Sequence, residues 1–194
     1  MLVGLTGNFG SGKSAVLSEF DAIGAVTVSA DGIVHRLLKS DKIKGMLVAV
    51  TGDIIIHDGE QKGEIDKRKM ADIVFSDSEI RAKVEAIIHP QVIKEIKALA
   101  ELNRTTSVVA EIPLLFEGGF DKLMDKTVTV TGTRGVVIER LLKKGYSQEE
   151  IDRRLAAQMP DSEKVRMSDY VIDNSSTLED TRRQVKVIYE KLAA

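Results

Sequence analysis

The residues best equipped for chemistry stand together near the start of the chain. Gly7-Asn8-Phe9-Gly10-Ser11-Gly12-Lys13-Ser14 matches G-x-x-x-x-G-K-[ST] in full. Gly7, Gly10 and Gly12 let successive backbone N–H groups turn inward, forming a nest for phosphate oxygens at a helix N-terminus. Lys13 would reach the β- and γ-phosphates of a nucleotide, and the Ser14 hydroxyl would ligate Mg²⁺. Ser11 and Ala15, inside and just past the loop, belong to the same nucleotide-binding run. An ordinary glycine-rich turn could look similar, but the motif demands a strand before it and a helix after it, and both signals are present. The loop alone does not separate a kinase from a GTPase or an ATPase.

The flanking elements follow from hydrophobic spacing. Leu2-Val3-Gly4-Leu5-Thr6 reads as a buried parallel strand. Over 13–23, Val16, Leu17, Phe20 and Ile23 recur at helical spacing and Gly24 ends the run; 25–28 is a second strand. A β–α–β opening this short points to an α/β protein with a parallel sheet. From 31 to 103 helical patterns dominate: around Ile33 and Leu37, around Ile43 and Leu47, then 67–75, 78–88 and 91–102. A piece punctuated by Gly and Asp, 51–66, interrupts them and holds Ile54-Ile55-Ile56, a short strand or bend. The whole stretch reads as a helical insertion beside the sheet. Strands return at 108–112, 127–130 and 170–172, with helices at 136–144 and 147–159 about a Gly145-Tyr146 break. Ser147 with Glu150, and Ser176 with Glu179, have capping-box spacing, the second before a terminal helix reaching about Leu192.

Composition narrows the classes. At 194 residues the chain is one domain by length and can bury a full core. The absence of Cys excludes disulfides, zinc ribbons and thiolate catalysis. With 28 Lys+Arg against 30 Asp+Glu, a general nucleic-acid binder is not expected. No apolar run approaches the roughly 20 residues of a membrane span, and Met1-Leu2-Val3-Gly4 lacks signal-peptide features. A cytoplasmic protein with neither nucleic-acid nor membrane partners is the expectation.

Several single residues stand out. Asp31 follows a strand and opens a helix, where α/β proteins bind ligands; Asp is also a good N-cap. A carboxylate there could take or orient an acceptor hydroxyl's proton. Arg140 lies in a run where Arg134, Arg140, Lys143 and Lys144 face one Glu139: a solvated helix face, or a lid that stabilises a transferring phosphoryl group. Glu111 ends a strand beside the P-loop strand, either as a Mg²⁺-side carboxylate or as a plain strand-end charge. Glu117 is equally open. His89 before Pro90 could contact substrate or simply pack, while His35 and His57 show no ligand spacing.

Taken together, these pieces resemble the dephospho-CoA kinase family. The resemblance is carried by Leu5-Thr6-Gly7 running into the P-loop, Ala30-Asp31, Ile88-His89-Pro90, Ile112-Pro113-Leu114-Leu115-Phe116-Glu117 and Asp169-Tyr170-Val171-Ile172-Asp173-Asn174. It implies transfer of phosphate from ATP, with Mg²⁺, to the ribose 3′-hydroxyl of dephospho-CoA. It also implies a P-loop kinase core with a five-stranded parallel sheet (1–30, 105–133 and 168–194), a helical substrate domain (31–104) and a helical lid (134–167). On that resemblance Lys13, Asp31 and Arg140 are catalytic, and Arg140 also contacts ATP. Asn174 lies near the adenine, and Asp31, Lys67, His89, Pro113 and Leu114 meet the acceptor. Arg154 and Gln158 match the lid pattern more weakly. The chain departs from the family at Asn8, Phe9 and Ala15, at Ser29 in place of the first Asp of Asp-Ala-Asp, and at Lys67 and Lys144 in place of Arg. A lysine keeps the charge but not bidentate phosphate geometry. The competing readings are a P-loop kinase for another small hydroxyl or nucleoside monophosphate, a nucleotide-dependent switch, and a non-catalytic nucleotide-binding module. The switch lacks its usual Asn-Lys-x-Asp guanine motif here.

Overall fold

The computed structural model describes residues 1–57 and 63–193. The part of the 51–66 piece that falls at 58–62 lies outside the described residues, as does residue 194. The described chain divides into two compact units, 1–29 with 99–194, and 30–98.

In the first unit β1 (Leu2–Thr6), β2 (Val26–Ser29), β3 (Val108–Glu111), β4 (Lys126–Thr131) and β5 (Tyr170–Asp173) form one sheet in the order β2-β3-β1-β4-β5. Every neighbouring pair is parallel, so all five strands end on the same edge. β1 is buried at every position, as expected of a central strand covered on both faces. α1 (Lys13–Ala22) and α9 (Leu178–Ala193) supply Val16, Phe20, Val185 and Ile188 to a core with Val3, Leu5, Val109, Val128 and Ile172. At the sheet's far side Asp169 accepts from the Thr127 N–H at 2.8 Å and from the Lys126 Nζ at 2.9 Å, fixing where β5 meets β4.

The second unit holds α2 (Ala30–Leu37), α3 (Asp41–Thr51), a 3₁₀ turn (Asp53–Ile55), α4 (Lys67–Ser76) and most of α5 (Ser78–Leu102). Ile54-Ile55-Ile56 is thus a turn, closed by a single antiparallel bridge from Ile56 to Ile65. The helices read separately at 78–88 and 91–102 are one helix that runs through Pro90. Proline removes one hydrogen bond and crowds the preceding turn. The buried stripe Val84, Ile88, Val92 and Ile96 continues across it at a spacing of four, and that packing outweighs the local break.

Between β4 and β5 the chain makes α6 (Arg134–Lys143), α7 (Gln148–Ala156) and α8 (Asp161–Met167). The 147–159 reading therefore ends early, and α8 is an element the periodicity did not reveal: it is short and starts after Pro160. Ser147 caps α7 as expected, accepting from the Glu150 N–H at 3.2 Å. The terminal cap sits one residue later than its spacing suggested. Thr177 Oγ1 accepts from the Asp180 N–H at 3.2 Å and donates to the Asp180 carboxylate at 2.8 Å. Hydroxyls of Ser176 and Thr177, with Arg183, hold that carboxyl well below the usual range. Among the described residues no helix is long and apolar enough to cross a membrane.

Candidate active site

The P-loop leaves the end of β1 and enters α1 through Gly12, which caps the helix in the left-handed region (φ 93°) with no side-chain acceptor. Helix-start N–H groups not capped by a side chain are available to an anion. Gly7 also needs its missing side chain, because a Cβ there would meet the Val130 carbonyl oxygen of β4 at 2.2 Å. Lys13 Nζ donates to the loop carbonyls of Gly7 (2.8 Å) and Asn8 (3.2 Å), so its ammonium already sits over the loop. Ser14 Oγ donates to Glu111 Oε1 at 3.3 Å. Register explains the meeting: Glu111 ends β3 opposite Leu5 of β1, only 8% exposed, one strand from the loop. A hydroxyl and a carboxylate oxygen are the donor types Mg²⁺ takes, so this pair fits the ion. Asn174 is buried beneath the loop, its Nδ2 donating to the Ser11 carbonyl (2.8 Å) and its Oδ1 accepting from Thr181 (2.9 Å). Both halves of its amide are engaged inside the protein, so it braces the loop. Ala15 is exposed in the first turn of α1.

Arg140, on α6, directs Nη1 toward the loop: that atom lies 4.0 Å from where a Gly12 Cβ would stand, is buried, and has no hydrogen-bond partner among the described residues. A buried donor left unpaired costs about 1–3 kcal/mol, an arrangement that a phosphate oxygen would relieve. Val137, Leu141 and Ile151 form a small core with Phe9 and Tyr146 against it. The Arg154 guanidinium lies 4.8 Å from the Phe9 ring and 5.3 Å from the Tyr146 ring, and pairs with Glu150 at 2.6 Å. It acts on the rings. Gln158 Oε1 accepts from the Phe9 N–H at 2.8 Å. Asp161 also belongs to this neighbourhood: burial pushes its carboxyl up, while Lys164, Lys13 and a hydrogen bond from Thr131 oppose the shift.

The remaining assigned residues are carried by other elements. Asp31 is exposed and sits second in α2, inside the first turn, so it is not the N-cap that residue type suggested. Lys67 opens α4 and donates to His35 Nδ1 at 2.6 Å; Asp66 caps the helix, accepting from the Arg68 and Lys69 N–H groups at 2.9 and 3.1 Å. The Lys69 N–H, chiefly, holds the Asp66 carboxyl below its ordinary range. His35, Lys39, Lys44, His57, Lys67 and Arg68 are among the residues lining a cavity of 680 Å³ in the second unit. His35 shows no ligand spacing in the sequence and Arg68 no signal at all, because positions 35, 67 and 68 share no pattern until the helices fold. His89 is half-buried within α5. In the first unit Pro113 and the exposed Leu114 follow β3, and Glu117 pairs with the fully buried Lys164 at 2.9 Å. Nothing in the sequence marked Lys164, one of 28 basic residues.

An all-parallel sheet with a complete phosphate loop, a helix pair carrying a cation over it and a carboxylate beside its serine is the core of a P-loop kinase. Comparison with known proteins gives the family. The dephospho-CoA kinase family model matches residues 1–180. A dephospho-CoA kinase of Aquifex aeolicus is 41% identical, over 98% of this chain and 96% of the relative. The crystal structure of a Thermus thermophilus protein superposes with a TM-score of 0.87 at 30% identity, covering 100% of this chain and 98% of the other. Dephospho-CoA kinase from Campylobacter jejuni has a TM-score of 0.70 at 23% identity, covering 99% and 96%. The chain belongs to the dephospho-CoA kinase family.

Proposed function

We propose that this protein transfers the γ-phosphoryl group of ATP to the ribose 3′-hydroxyl of dephospho-CoA, giving coenzyme A and ADP. The observation that carries the reading is the unpaired, buried Arg140 Nη1 facing Gly12 across a complete P-loop. A donor held without a partner in an anion nest is positioned for charge that arrives with the substrate, and it strengthens as that charge redistributes.

In this reading the loop amides from Gly7 to Ala15 and the Lys13 ammonium hold the β- and γ-phosphates. Lys13 must exchange its bonds to Gly7 and Asn8 for phosphate oxygens. Ser14 and Glu111 would hold Mg²⁺, which neutralises phosphate charge when bound. Asp31 takes or orients the 3′-hydroxyl proton. The hydroxyl oxygen then bonds to the γ-phosphorus while the bond to the β,γ-bridging oxygen breaks, and ADP departs. Pro113 and Leu114 are assigned to the acceptor on the core unit. On the second unit the basic cavity that includes Lys67 suits the acceptor's diphosphate, and His89 is assigned to the same substrate. Asn174 supports the nucleotide site through the Ser11 carbonyl. We place the reaction in the cytoplasm, where ATP is abundant.

The test is ADP release with ATP, Mg²⁺ and dephospho-CoA, beside AMP, shikimate and pantothenate as acceptors. Turnover confined to dephospho-CoA is expected. Faster turnover of AMP or shikimate would assign the chain to another acceptor, and acceptor-independent hydrolysis alone would favour a nucleotide switch.

A further inference from the structure

Glu117 and Lys164 take no part in the chemistry described above, yet they form an ion pair whose lysine is wholly buried. Lys164 is 0% exposed, on the inner side of α8, and its Nζ reaches two acceptors: Glu117 Oε1 at 2.9 Å and the Pro113 carbonyl oxygen at 3.3 Å. A lysine taken wholly out of water is tolerated only when its charge is paired and its donors are used. The same Glu117 oxygen accepts from the Met159 N–H at 3.1 Å, and the Met159 carbonyl accepts from Asn8 Nδ2 at 3.0 Å. The Met159 backbone is therefore held at both its N–H and its carbonyl, by the acceptor loop and by the P-loop. Pro113 is likewise held twice, since its carbonyl also accepts from the buried Thr6 Oγ1 at 3.1 Å. The loop's own turn, closed by Gly118 N–H to Leu114 O and Phe120 N–H to Leu115 O at 2.9 Å each, keeps Leu114 outside, 47% exposed.

We propose that Lys164, paired with Glu117, is a positioning residue: it sets the carbonyl of Pro113, and with it the Pro113-Leu114 face, in register with the P-loop. The pair does not touch the reacting atoms. It acts through the loop, and the charge pair and the carbonyl bond contribute differently. The ion pair balances a buried charge, which an uncharged pair of similar volume could replace. The Nζ-to-Pro113 bond cannot be replaced that way. A neutral pair would restore folding and leave the loop unregistered.

This inference rests on the reading that Pro113 and Leu114 face the acceptor, and the experiment separates the two. Wild type, Lys164→Met, the double variant Lys164→Met/Glu117→Gln, and Leu114→Ala are compared in steady-state kinetics with ATP and dephospho-CoA. Hydrogen exchange of the amides of Gly118 and Phe120 is followed without any substrate. Lys164→Met is expected to lower Tm, because Glu117 loses its cation, and the double variant to recover most of it. In both, loop exchange speeds up and KM for dephospho-CoA rises on the order of tenfold or more, the worth of one charged hydrogen bond, while KM for ATP stays within about twofold. A purely structural role would raise both KM values together and return both to normal in the double variant, which overturns the proposal. Unchanged loop exchange in Lys164→Met overturns it as well. Should the loop loosen and Leu114→Ala raise KM for dephospho-CoA while Lys164→Met does not, positioning by Lys164 is overturned. Should the loop loosen while Leu114→Ala also leaves that KM unchanged, the acceptor-facing reading fails, and the proposal built on it fails with it.

Discussion

Asp31→Asn separates two things a carboxylate can do at the start of α2. Its residue is second in the helix, so its contribution to folding comes from a negative charge near the positive end of the helix dipole. At an exposed site that interaction is worth roughly 0.3–1 kcal/mol. For a chain of this size the loss amounts to a fall in Tm of no more than about 4 °C. Asn keeps the shape and takes away the basic oxygen. If Asp31 receives or orients the 3′-hydroxyl proton, the loss in kcat should be about 10²–10⁴, which is about 3–5 kcal/mol of barrier. The catalytic effect thus exceeds the folding effect several-fold, and the two cannot be confused. The assay is coupled ADP release at saturating ATP, Mg²⁺ and dephospho-CoA, with ATP affinity and Tm measured on the same preparations. ATP affinity should hold, because Lys13, Ser14 and the loop amides are untouched. A kcat equal to wild type would refute the role and reduce Asp31 to a favourable charge in a first helical turn.

Lys13→Ala is expected to abolish transfer while leaving Tm without nucleotide within a few degrees of wild type, since the ammonium bonds the Gly7 and Asn8 carbonyls of the loop and is not part of the core; near-normal turnover would overturn the P-loop assignment. Arg140→Ala removes a buried donor whose Nη1 has no partner, so Tm should barely move while kcat falls on the order of 10²-fold or more. A change confined to KM for dephospho-CoA would move Arg140 into the acceptor site. Gly12→Ala places a Cβ 2.1 Å from Asn174 Nδ2 at a φ of 93°. Displacing that amide and straining the turn should lower stability by roughly 2–5 kcal/mol, seen as a Tm lower by about 10 °C. Adding Asn174→Ala opens the space, so the double variant should lose less than the sum of the singles in a thermal melt.

What the sequence by itself determined rests on near neighbours in the chain. The P-loop is eight consecutive residues, and its chemistry lies in backbone N–H groups that glycine spacing alone can aim. β1, α1 and β2 were legible for the same reason: each is a short run with its own hydrophobic period and its own stop. Ser147 as a cap needed only a residue three positions on. Tertiary structure decided what neighbours could not. Helix α5 runs through Pro90 because a buried stripe on both sides outweighs one missing hydrogen bond. Asp31 falls two residues past the cap position, inside the first turn of α2, a shift that no pattern resolves. Glu111 meets Ser14 only because parallel register sets the end of β3 beside β1, 97 residues away in sequence. Lys164 reads as one more surface lysine until α8 turns it inward onto Glu117 and Pro113, where burial makes its charge and its donors specific. Side-chain types and spacing carry the chemistry that one segment can perform alone; chemistry shared between segments exists only once packing has chosen which of them meet.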